Sequence, residues 1–291
     1  MTCLRNETLT VEVAKHGAEL ESIIDNRSGI EYLWQADPAY WGRSAPILFP
    51  IVGRLKDDMY TVDAVTYSLP QHGFARDSVF RVVEKQDSLV VLELNADAET
   101  RKAYPYDFRL RVSYRLSENR IEITYSVANQ DNGPMNFSIG SHPAFNIPFG
   151  SGEYTDYFIE FEEKETLACY GVEDGLVSAD PPRVMTDNKT IQLTKTLFDA
   201  GALVFKGLHS NTVFLGNRLD EKRVAVSTGG APYLGIWSKP QAPYVCIEPW
   251  FGIADSTDTD VSHDFSSKEG IRSLLPGETF ETTYSISIRA D

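Results

Sequence analysis

The sequence predicts an all-β fold, a single large antiparallel sandwich. Short segments of alternating apolar and polar residues recur along the chain, separated by turns rich in Gly, Asn, Asp and Ser, whereas a helical period of 3.6 residues is almost absent. Strands do not alternate with long helices, which argues against a parallel sheet of βαβ units. Because no linker, repeat or low-complexity tract interrupts the 291 residues, we predict one domain over 1–291.

The first half of the chain contains strand patterns joined by tight turns. The segment 45–54 breaks the pattern, because its apolar run includes Pro46 and Pro50, which cannot donate ladder hydrogen bonds; we predict that it walls a cavity. Charges and a cap without an apolar face indicate a helical turn at 96–102. The predicted strands of this half are 9–13, 18–24, 30–34 and 60–69, followed by a hairpin over 108–127.

The second half continues as short strands, one of which carries a carboxylate. Residues 245–247 form an apolar run of the kind that a covered strand needs, and Pro249 is predicted to end this strand. Glu248 is therefore predicted at a strand terminus, where partial burial beside Trp250 raises its pKa towards the range of proton transfer. Pairing of Glu248 with a nearby arginine is the alternative. The other predicted strands are 157–162, 190–194, 202–205, 212–216, 223–227, 234–238 and 280–288.

Composition and charge argue against several classes of partner. With 42 acidic and 27 basic residues the formal net charge is −15, which opposes binding to nucleic acid and to anionic membranes and favours a small or neutral ligand. No apolar run approaches the ~20 residues of a membrane-spanning helix, and the first residues carry no leader pattern. Three widely separated cysteines, Cys3, Cys169 and Cys246, suit reduced thiols, so we expect a cytoplasmic protein.

Two of the five histidines lie in motifs that combine a turn residue with an aromatic ring. His72 stands in Gln71-His-Gly-Phe-Ala-Arg76, and His142 in Gly140-Ser-His-Pro-Ala-Phe145. Taken alone, either histidine is explained by a structural role. Together with Glu248 they supply an acid and a base, the couple that proton-shuttling chemistry requires. The three residues are therefore candidates for one acid/base site.

Five motifs occur in a characteristic order and spacing: Phe49-Pro-Ile-Val-Gly-Arg54, Gln71-His-Gly-Phe-Ala-Arg76, Ser141-His-Pro-Ala-Phe145, 197–205 and Cys246-Ile-Glu-Pro-Trp250. In this combination the chain resembles the aldose 1-epimerase (galactose mutarotase-like) family, and most closely its bacterial LacX-type branch. The match extends over about 9–288. The resemblance implies a super-β-sandwich with a sugar cleft on a concave face, a small-molecule sugar substrate, and no metal or other cofactor.

The resemblance also implies roles for single residues. Glu248 is the general base that takes the proton of the anomeric O1 hydroxyl, and His142 is the general acid that protonates the ring oxygen. Mutarotation chemically requires one such acceptor and one donor, each typically contributing ~10²- to 10⁴-fold. The implied substrate-binding residues are His72 beside the ring oxygen, Arg54 as a fork of donors, Arg76, and Trp250 as a stacking ring, with Phe74 and Phe145 as either stacking or core residues.

One segment departs from the family pattern. Where related sequences often carry a sugar-binding Asp, in a segment resembling F-x-x-D-A-L, this chain has Phe198-Asp-Ala-Gly-Ala-Leu203, with Gly201 in place of the aspartate. Asp199, two residues earlier, is the predicted substitute, and loss of the contact is the alternative. The substrate range therefore depends on this segment.

Three functions remain consistent with the sequence. The first is a mutarotase of a free aldohexose, working as a monomer or homodimer. The second is an epimerase of hexose 6-phosphates, which needs a cationic cluster for the phosphate. The third is a sugar-binding protein without turnover, which Gly201 leaves open. The candidate cations for a phosphate are Arg43, Arg54, Lys56 and Arg76.

Two metal-site interpretations are weaker. His72, His142 and Glu248 offer the ligands of a facial triad, but the H-x-H pair expected of a cupin-like metal enzyme is absent. The acidic segment 255–264 lacks the central Gly and terminal Glu of a calcium-binding loop, so we predict that it is solvated. We therefore predict no metal site.

Overall fold

In a computed structural model that describes residues 1–185, 187–259 and 263–290, the chain folds almost entirely into short strands. The strands of the first half are β1 (Thr2–Arg5), β2 (Leu9–Val13), β3 (Leu20–Asp25), β4 (Ile47–Leu48), β5 (Met59–Val62), β6 (Val65–Ser68), β7 (Arg81–Lys85), β8 (Leu89–Asn95), β9 (Phe108–Ser117), β10 (Arg120–Asn129), β11 (Met135–Phe137), β12 (Ile139–Ser141) and β13 (Ala144–Asn146). Those of the second half are β14 (Tyr157–Phe161), β15 (Ala168–Tyr170), β16 (Val172–Glu173), β17 (Leu176–Val177), β18 (Arg183–Val184), β19 (Thr190–Gln192), β20 (Leu203–Lys206), β21 (Thr212–Asn217), β22 (Arg223–Ser227), β23 (Tyr233–Trp237), β24 (Tyr244–Phe251), β25 (Arg272–Leu274) and β26 (Thr279–Arg289). Helical structure in the described ranges consists of α1 (Thr100–Ala103) and 3-10 turns at Lys56–Asp58, Ala75–Asp77, Tyr154–Asp156 and Phe265–Ser267.

Most of these strands belong to two large antiparallel sheets. A nine-stranded sheet has the order β19-β14-β21-β22-β26-β10-β9-β8-β7, and an eight-stranded sheet has the order β18-β15-β20-β23-β24-β12-β4, with β13 also paired to β24. Smaller described sheets are β1-β2-β3, β5-β6, β11-β25 and β16-β17. The prediction of an all-β antiparallel fold is confirmed.

The two large sheets share one apolar core. Val245 and Ile247 of β24 belong to the same buried cluster as Val112 of β9 and Ile123 of β10, which lie in the other sheet. Because successive side chains of a strand point to opposite faces, Glu248 points away from this core. On β24, the side chains that alternate with the core residues, such as Glu248, therefore lie on the outer face of the eight-stranded sheet.

Most predicted strands are present with ends within two residues of the prediction, although the strand predicted at 60–69 is instead the hairpin β5–β6. The strand predicted at 30–34 is wrong. These residues make isolated bridges at Glu31 and Leu33. Side chains, and not a neighbouring strand, form hydrogen bonds with several main-chain groups here. The Glu31 carboxylate accepts the N–H groups of Ile23 and Leu33, and the Asn146 side-chain amide donates to the carbonyls of Glu31 and Leu33. Such local bonding competes with a regular ladder.

Strand β24 was predicted to end at Pro249, but it continues to Phe251. The Ile247 N–H donates to the Pro143 carbonyl at 3.2 Å, so this edge of β24 faces the residues between β12 and β13. Pro249, two residues further, shares that edge and lies opposite the gap between the two short strands, where the ladder requires no N–H. Glu248 is therefore held in the middle of a strand, opposite Gly235 of β23.

The acidic segment 255–264 is not wholly solvated, which corrects the prediction at its first residue. Asp255 is buried, its carboxylate lies 2.7 Å from Lys268 Nζ, and it accepts the N–H of Lys56 at 2.9 Å. This ion pair anchors the chain just after β24. Residues 260–262 of the segment lie outside the described residues.

Other predictions concern the surroundings of the protein. No helix of the described ranges is both long enough and apolar enough to cross a membrane. Cys3, Cys169 and Cys246 are free cysteines, as predicted. The single domain, the cytoplasmic location and the monomeric or homodimeric state stay predictions.

Candidate active site

A cleft with a volume of about 400 Å³ opens on the outer face of the eight-stranded sheet. Val204 of β20, Trp237 of β23 and Glu248 of β24 line its floor, and the turn of the β16–β17 hairpin lines one wall. Gly53 also lines it, so the segment 45–54 contributes to a cavity wall, as predicted. Aromatic rings with a few polar groups are the usual lining of a small-ligand site.

Glu248 and His142 form a buried pair in the cleft. His142 Nε2 lies 3.2 Å from Glu248 Oε2, and the Glu248 side chain is 1% exposed, so the carboxyl neighbours a histidine rather than the alternative arginine. Burial raises the pKa of Glu248 well above its ordinary value, and burial together with nearby arginines lowers the pKa of His142 to about 3. Burial therefore favours the uncharged form of each group, with the proton of the pair on the carboxyl.

Three rings surround the His142 imidazole. Trp41 lies against it at a centroid distance of 4.8 Å and an interplanar angle of 32°, while Trp237 and His72 approach edge-on at 5.7 and 5.6 Å. These contacts fix the ring plane and exclude water, the cause of the lowered pKa. Trp41 and Trp237 were not among the predicted site residues, because Trp41 lies in an irregular loop and neither residue belongs to a motif.

His72 enters the cleft on a constrained backbone. Its φ is +67°, in the left-handed region that non-glycine residues rarely adopt, its N–H donates to Gly53 O at 2.8 Å, and the Gly53 N–H donates to His72 Nδ1 at 3.1 Å. Burial holds the pKa of His72 well below its usual value. Because Nδ1 of the neutral ring is an acceptor, its proton lies on Nε2, which leaves a donor for a ligand.

Glycines on two neighbouring strands make room for the indole of Trp250. A Cβ at Gly235 would approach the indole to 2.4 Å, and a Cβ at Gly140 would approach it to 2.8 Å. The ring therefore lies close against the backbone of β12 and β23. Trp250 lines the cleft, whereas the other candidate stacking rings, Phe74 and Phe145, pack with the core.

Arg54 does not line the cleft, and its predicted contact with sugar hydroxyls stays a prediction. Its Nε and Nη2 donate to the two carboxylate oxygens of Asp58 at 2.7 and 2.8 Å, and its Nη1 donates to Asp174 O at 3.0 Å. A bidentate carboxylate four residues away occupies the fork that a ligand would need. Arg54 instead supports the turn of the β16–β17 hairpin.

Arg76 is the predicted cation that lines the cleft. Its Nη2 donates to Gln71 O at 2.6 Å, and burial lowers its pKa. Arg43 lies beside it but pairs with Asp77, and Lys56 Nζ donates to two main-chain carbonyls of the segment after β24. The four predicted cations therefore do not converge into a phosphate-binding cluster.

The predicted substitute carboxylate, Asp199, is exposed and does not line the cleft. Gly201 lines it with a φ of +96°, and a Cβ there would lie 3.3 Å from the carbonyl oxygen of Val172, so glycine lets the β16–β17 hairpin close over this position. That hairpin brings Asp174 to the cleft wall. The signal in the sequence was the pair Asp174-Gly175, a preferred two-residue hairpin turn.

Buried polar atoms without a hydrogen-bond partner among the described residues concentrate at the cleft. They include His142 Nδ1, Glu248 Oε2, Trp250 Nε1 and Arg76 Nε, all on side chains that line it. Such atoms are rare because each costs ~1–3 kcal/mol. Both donors and acceptors are present, which fits a ligand whose hydroxyl groups can do either.

Cys246 lies next to the His142–Glu248 pair and forms with it a possible group of metal ligands. It is fully buried, two residues before Glu248 on the same side of β24. A ring nitrogen of His142, a carboxylate oxygen of Glu248 and Cys246 Sγ all lie within 4.8 Å of one another. Among the described residues, these three atoms, and not those of the His72–His142–Glu248 triad considered from the sequence, form the candidate metal-ligand group of the cleft.

An antiparallel sandwich whose cleft holds a buried acid/base pair among tryptophan rings is suited to a small ring-shaped ligand. The chain belongs to the aldose 1-epimerase family, whose profile matches residues 1–287. It is thus an isomerase-class carbohydrate epimerase, and the resemblance inferred from the motifs is confirmed.

Relatives support this assignment over the whole chain. Protein LacX of Lactococcus lactis subsp. lactis is 36% identical over 296 residues, covering 98% of each chain. A galactose mutarotase related enzyme from Lactobacillus acidophilus is 37% identical with a TM-score of 0.95, covering 99% of this chain and 97% of that one. A galactose mutarotase-like protein from Lactobacillus casei is 30% identical with a TM-score of 0.91, covering 99% and 100%.

Proposed function

We propose that the protein is a mutarotase that interconverts the α and β anomers of a free, neutral aldohexose. The observation that carries this proposal is the buried His142–Glu248 pair, 3.2 Å apart and surrounded by polar atoms that lack partners among the described residues. A sugar ring offers hydroxyls for these atoms and an apolar face for Trp250. The small-molecule sugar is the proposed partner.

The reaction needs one proton shared by the pair. Glu248 in its carboxylate form takes the O1 proton while His142 donates its proton to the ring oxygen O5, the C1–O5 bond breaks, and the C1=O1 carbonyl forms. After rotation about C1–C2, O5 attacks the other carbonyl face, returning its proton to His142 while Glu248 reprotonates O1. Since the resting proton is on Glu248, it must first shift across the 3.2 Å gap to His142. Neither group is consumed.

The pH dependence of kcat/KM should report this pair. The pair is inactive when both Glu248 and His142 carry a proton to be donated. Because the pKa of His142 is lowered to about 3, activity should not decline as the pH falls through 6.5. Because the pKa of Glu248 is raised, the pair should lose its shared proton only at a pH well above the ordinary carboxyl pKa. Polarimetry between pH 5 and 8, corrected for the spontaneous rate and with folding checked by circular dichroism, measures the profile. A midpoint near 6.5 on the acid side would contradict the proposal.

A neutral sugar is favoured over a hexose 6-phosphate by the charges around the cleft. Arg54 is bonded to Asp58 and Arg43 to Asp77, while Asp174 adds a carboxylate to the wall. A phosphate in the cleft would be attracted by Arg76 but repelled by the negative carboxylate of Asp174. A carboxylate on the wall instead suits hydroxyl donors of the sugar.

Substitution of Asp174 and Asp199 separates the carboxylate that lines the cleft from the one that does not. Asp174→Ala should raise KM by roughly 10- to 100-fold with a smaller change in kcat, the effect of losing one charge-assisted hydrogen bond. Asp199→Ala, the matched control, should leave both constants unchanged. Steady-state polarimetry of the two variants measures this, and the opposite pattern would restore Asp199 as the sugar ligand.

Polarimetry of freshly dissolved α-glucose and α-galactose tests the function itself. Acceleration above the spontaneous rate by the wild-type protein supports a mutarotase. If the protein accelerates anomer interconversion of hexose 6-phosphates but not of the free sugars, it is a phosphosugar epimerase. Binding of sugars without turnover would establish a sugar-binding protein.

A further inference from the structure

The buried thiol of Cys246 has no part in the proton transfers, yet it lies beside both groups that perform them. Its Sγ, a ring nitrogen of His142 and an oxygen of Glu248 are within 4.8 Å of one another. Thiolate, imidazole and carboxylate are the three kinds of side-chain ligand that Zn²⁺ takes in proteins. The thiol is therefore placed to turn an acid/base pair into a metal site.

We infer that His142, Cys246 and Glu248 form a binding site for Zn²⁺ or a similarly thiophilic dication, and that its occupancy inhibits the enzyme. Bond lengths of 2.0–2.3 Å in a tetrahedral site place ligand atoms about 3.3–3.6 Å apart. His142 Nε2 and Glu248 Oε2 already stand at 3.2 Å, and Cys246 Sγ, within 4.8 Å of both groups, would have to move closer to them when the metal binds. Because His142 and Glu248 line the cleft, water or a sugar hydroxyl there would supply the fourth ligand.

Charge balance supports a dication at this place. The carboxylate and the thiolate carry two negative charges, which a divalent ion neutralises, whereas either charge alone is unfavourable in a site where Glu248 and Cys246 are 1% and 0% exposed. The thiolate selects Zn²⁺ over Mg²⁺ and Ca²⁺, which prefer oxygen ligands. Because the metal uses the atoms that move protons, it blocks turnover.

Cobalt(II) titration of metal-free, untagged protein tests the site directly. We expect one Co²⁺ per chain, with a thiolate-to-cobalt charge-transfer band in the near ultraviolet that Zn²⁺ abolishes by displacement. Cys246→Ser should lose the band and bind at least ~10-fold more weakly. Cys169→Ser, which removes another buried free thiol, and Cys3→Ser, which removes the exposed one, should behave as wild type. Cys246→Ala serves as a second variant if the serine disturbs folding.

The activity measurement then follows the same variants. Zn²⁺ should inhibit the wild-type protein at the concentration that displaces Co²⁺, and Cys246→Ser should retain turnover with its inhibition midpoint shifted at least ~10-fold higher. Absence of the band in wild type, or unchanged metal affinity in Cys246→Ser, would overturn the inference. Since the band is measured without substrate, it tests the metal site even if the protein proves not to epimerise free sugars.

Discussion

Glu248→Gln is expected to reduce turnover by ~10²- to 10⁴-fold while raising the stability of the protein at neutral pH. The amide keeps the shape of the protonated carboxyl but neither accepts nor releases the shared proton. Because burial raises the pKa of Glu248, its stabilising contribution is complete below the ordinary carboxyl pKa and is lost as the pH rises above it. The variant escapes that loss, so its unfolding temperature at pH 7 should increase.

Glu165→Gln is the matched control for this result. Glu165 is also buried, at 5% exposure, but its carboxylate accepts the main-chain N–H groups of His209 and Ser210 far from the cleft. Weakening those bonds should lower the unfolding temperature and leave turnover unchanged. Thermal unfolding and polarimetry of both variants measure the contrast, and a Glu248→Gln protein that is destabilised yet active would remove Glu248 from the mechanism.

The sequence predicted the elements whose signals are local. The hairpin β9–β10 follows from alternation over twenty residues, and the candidacy of His142 and Glu248 follows from short motifs. The continuation of β24 through Pro249 was not predictable, because it depends on a gap between two strands a hundred residues earlier in the chain. Register of this kind is a tertiary property.

The polar lining of the cleft was predicted less well for a related reason. Motifs identify which residues carry chemistry, but competing partners decide where those residues point. The guanidinium of Arg54, which the sequence assigned to sugar hydroxyls, is bonded to Asp58. Asp199 was the nearest carboxylate in sequence to Gly201, whereas Asp174 reaches the cleft through a hairpin that packs over that glycine. Only the paired fold reveals these competitions.

His142→Asn is expected to reduce turnover by ~10²- to 10⁴-fold, and the double variant with Glu248→Gln should be no slower than the slower single variant. The two groups hold one proton between them at 3.2 Å, so removing either already prevents the exchange. Non-additivity of this kind marks residues that act as one unit. Exchange between anomeric signals by NMR at equilibrium resolves these low rates.

His209→Asn, at an exposed histidine outside the cleft, controls for loss of a histidine as such and should retain wild-type rates. If His142 and Glu248 instead served separate protons, each supplied independently by water, their effects would multiply, and the double variant would fall below the slower single variant by a further ~10²-fold or more. The 3.2 Å between Nε2 and Oε2 argues against that separation, since the two atoms are within reach of direct proton transfer and no water fits between them. The measured ratio of double to single variant therefore decides whether the pair is one catalytic group or two.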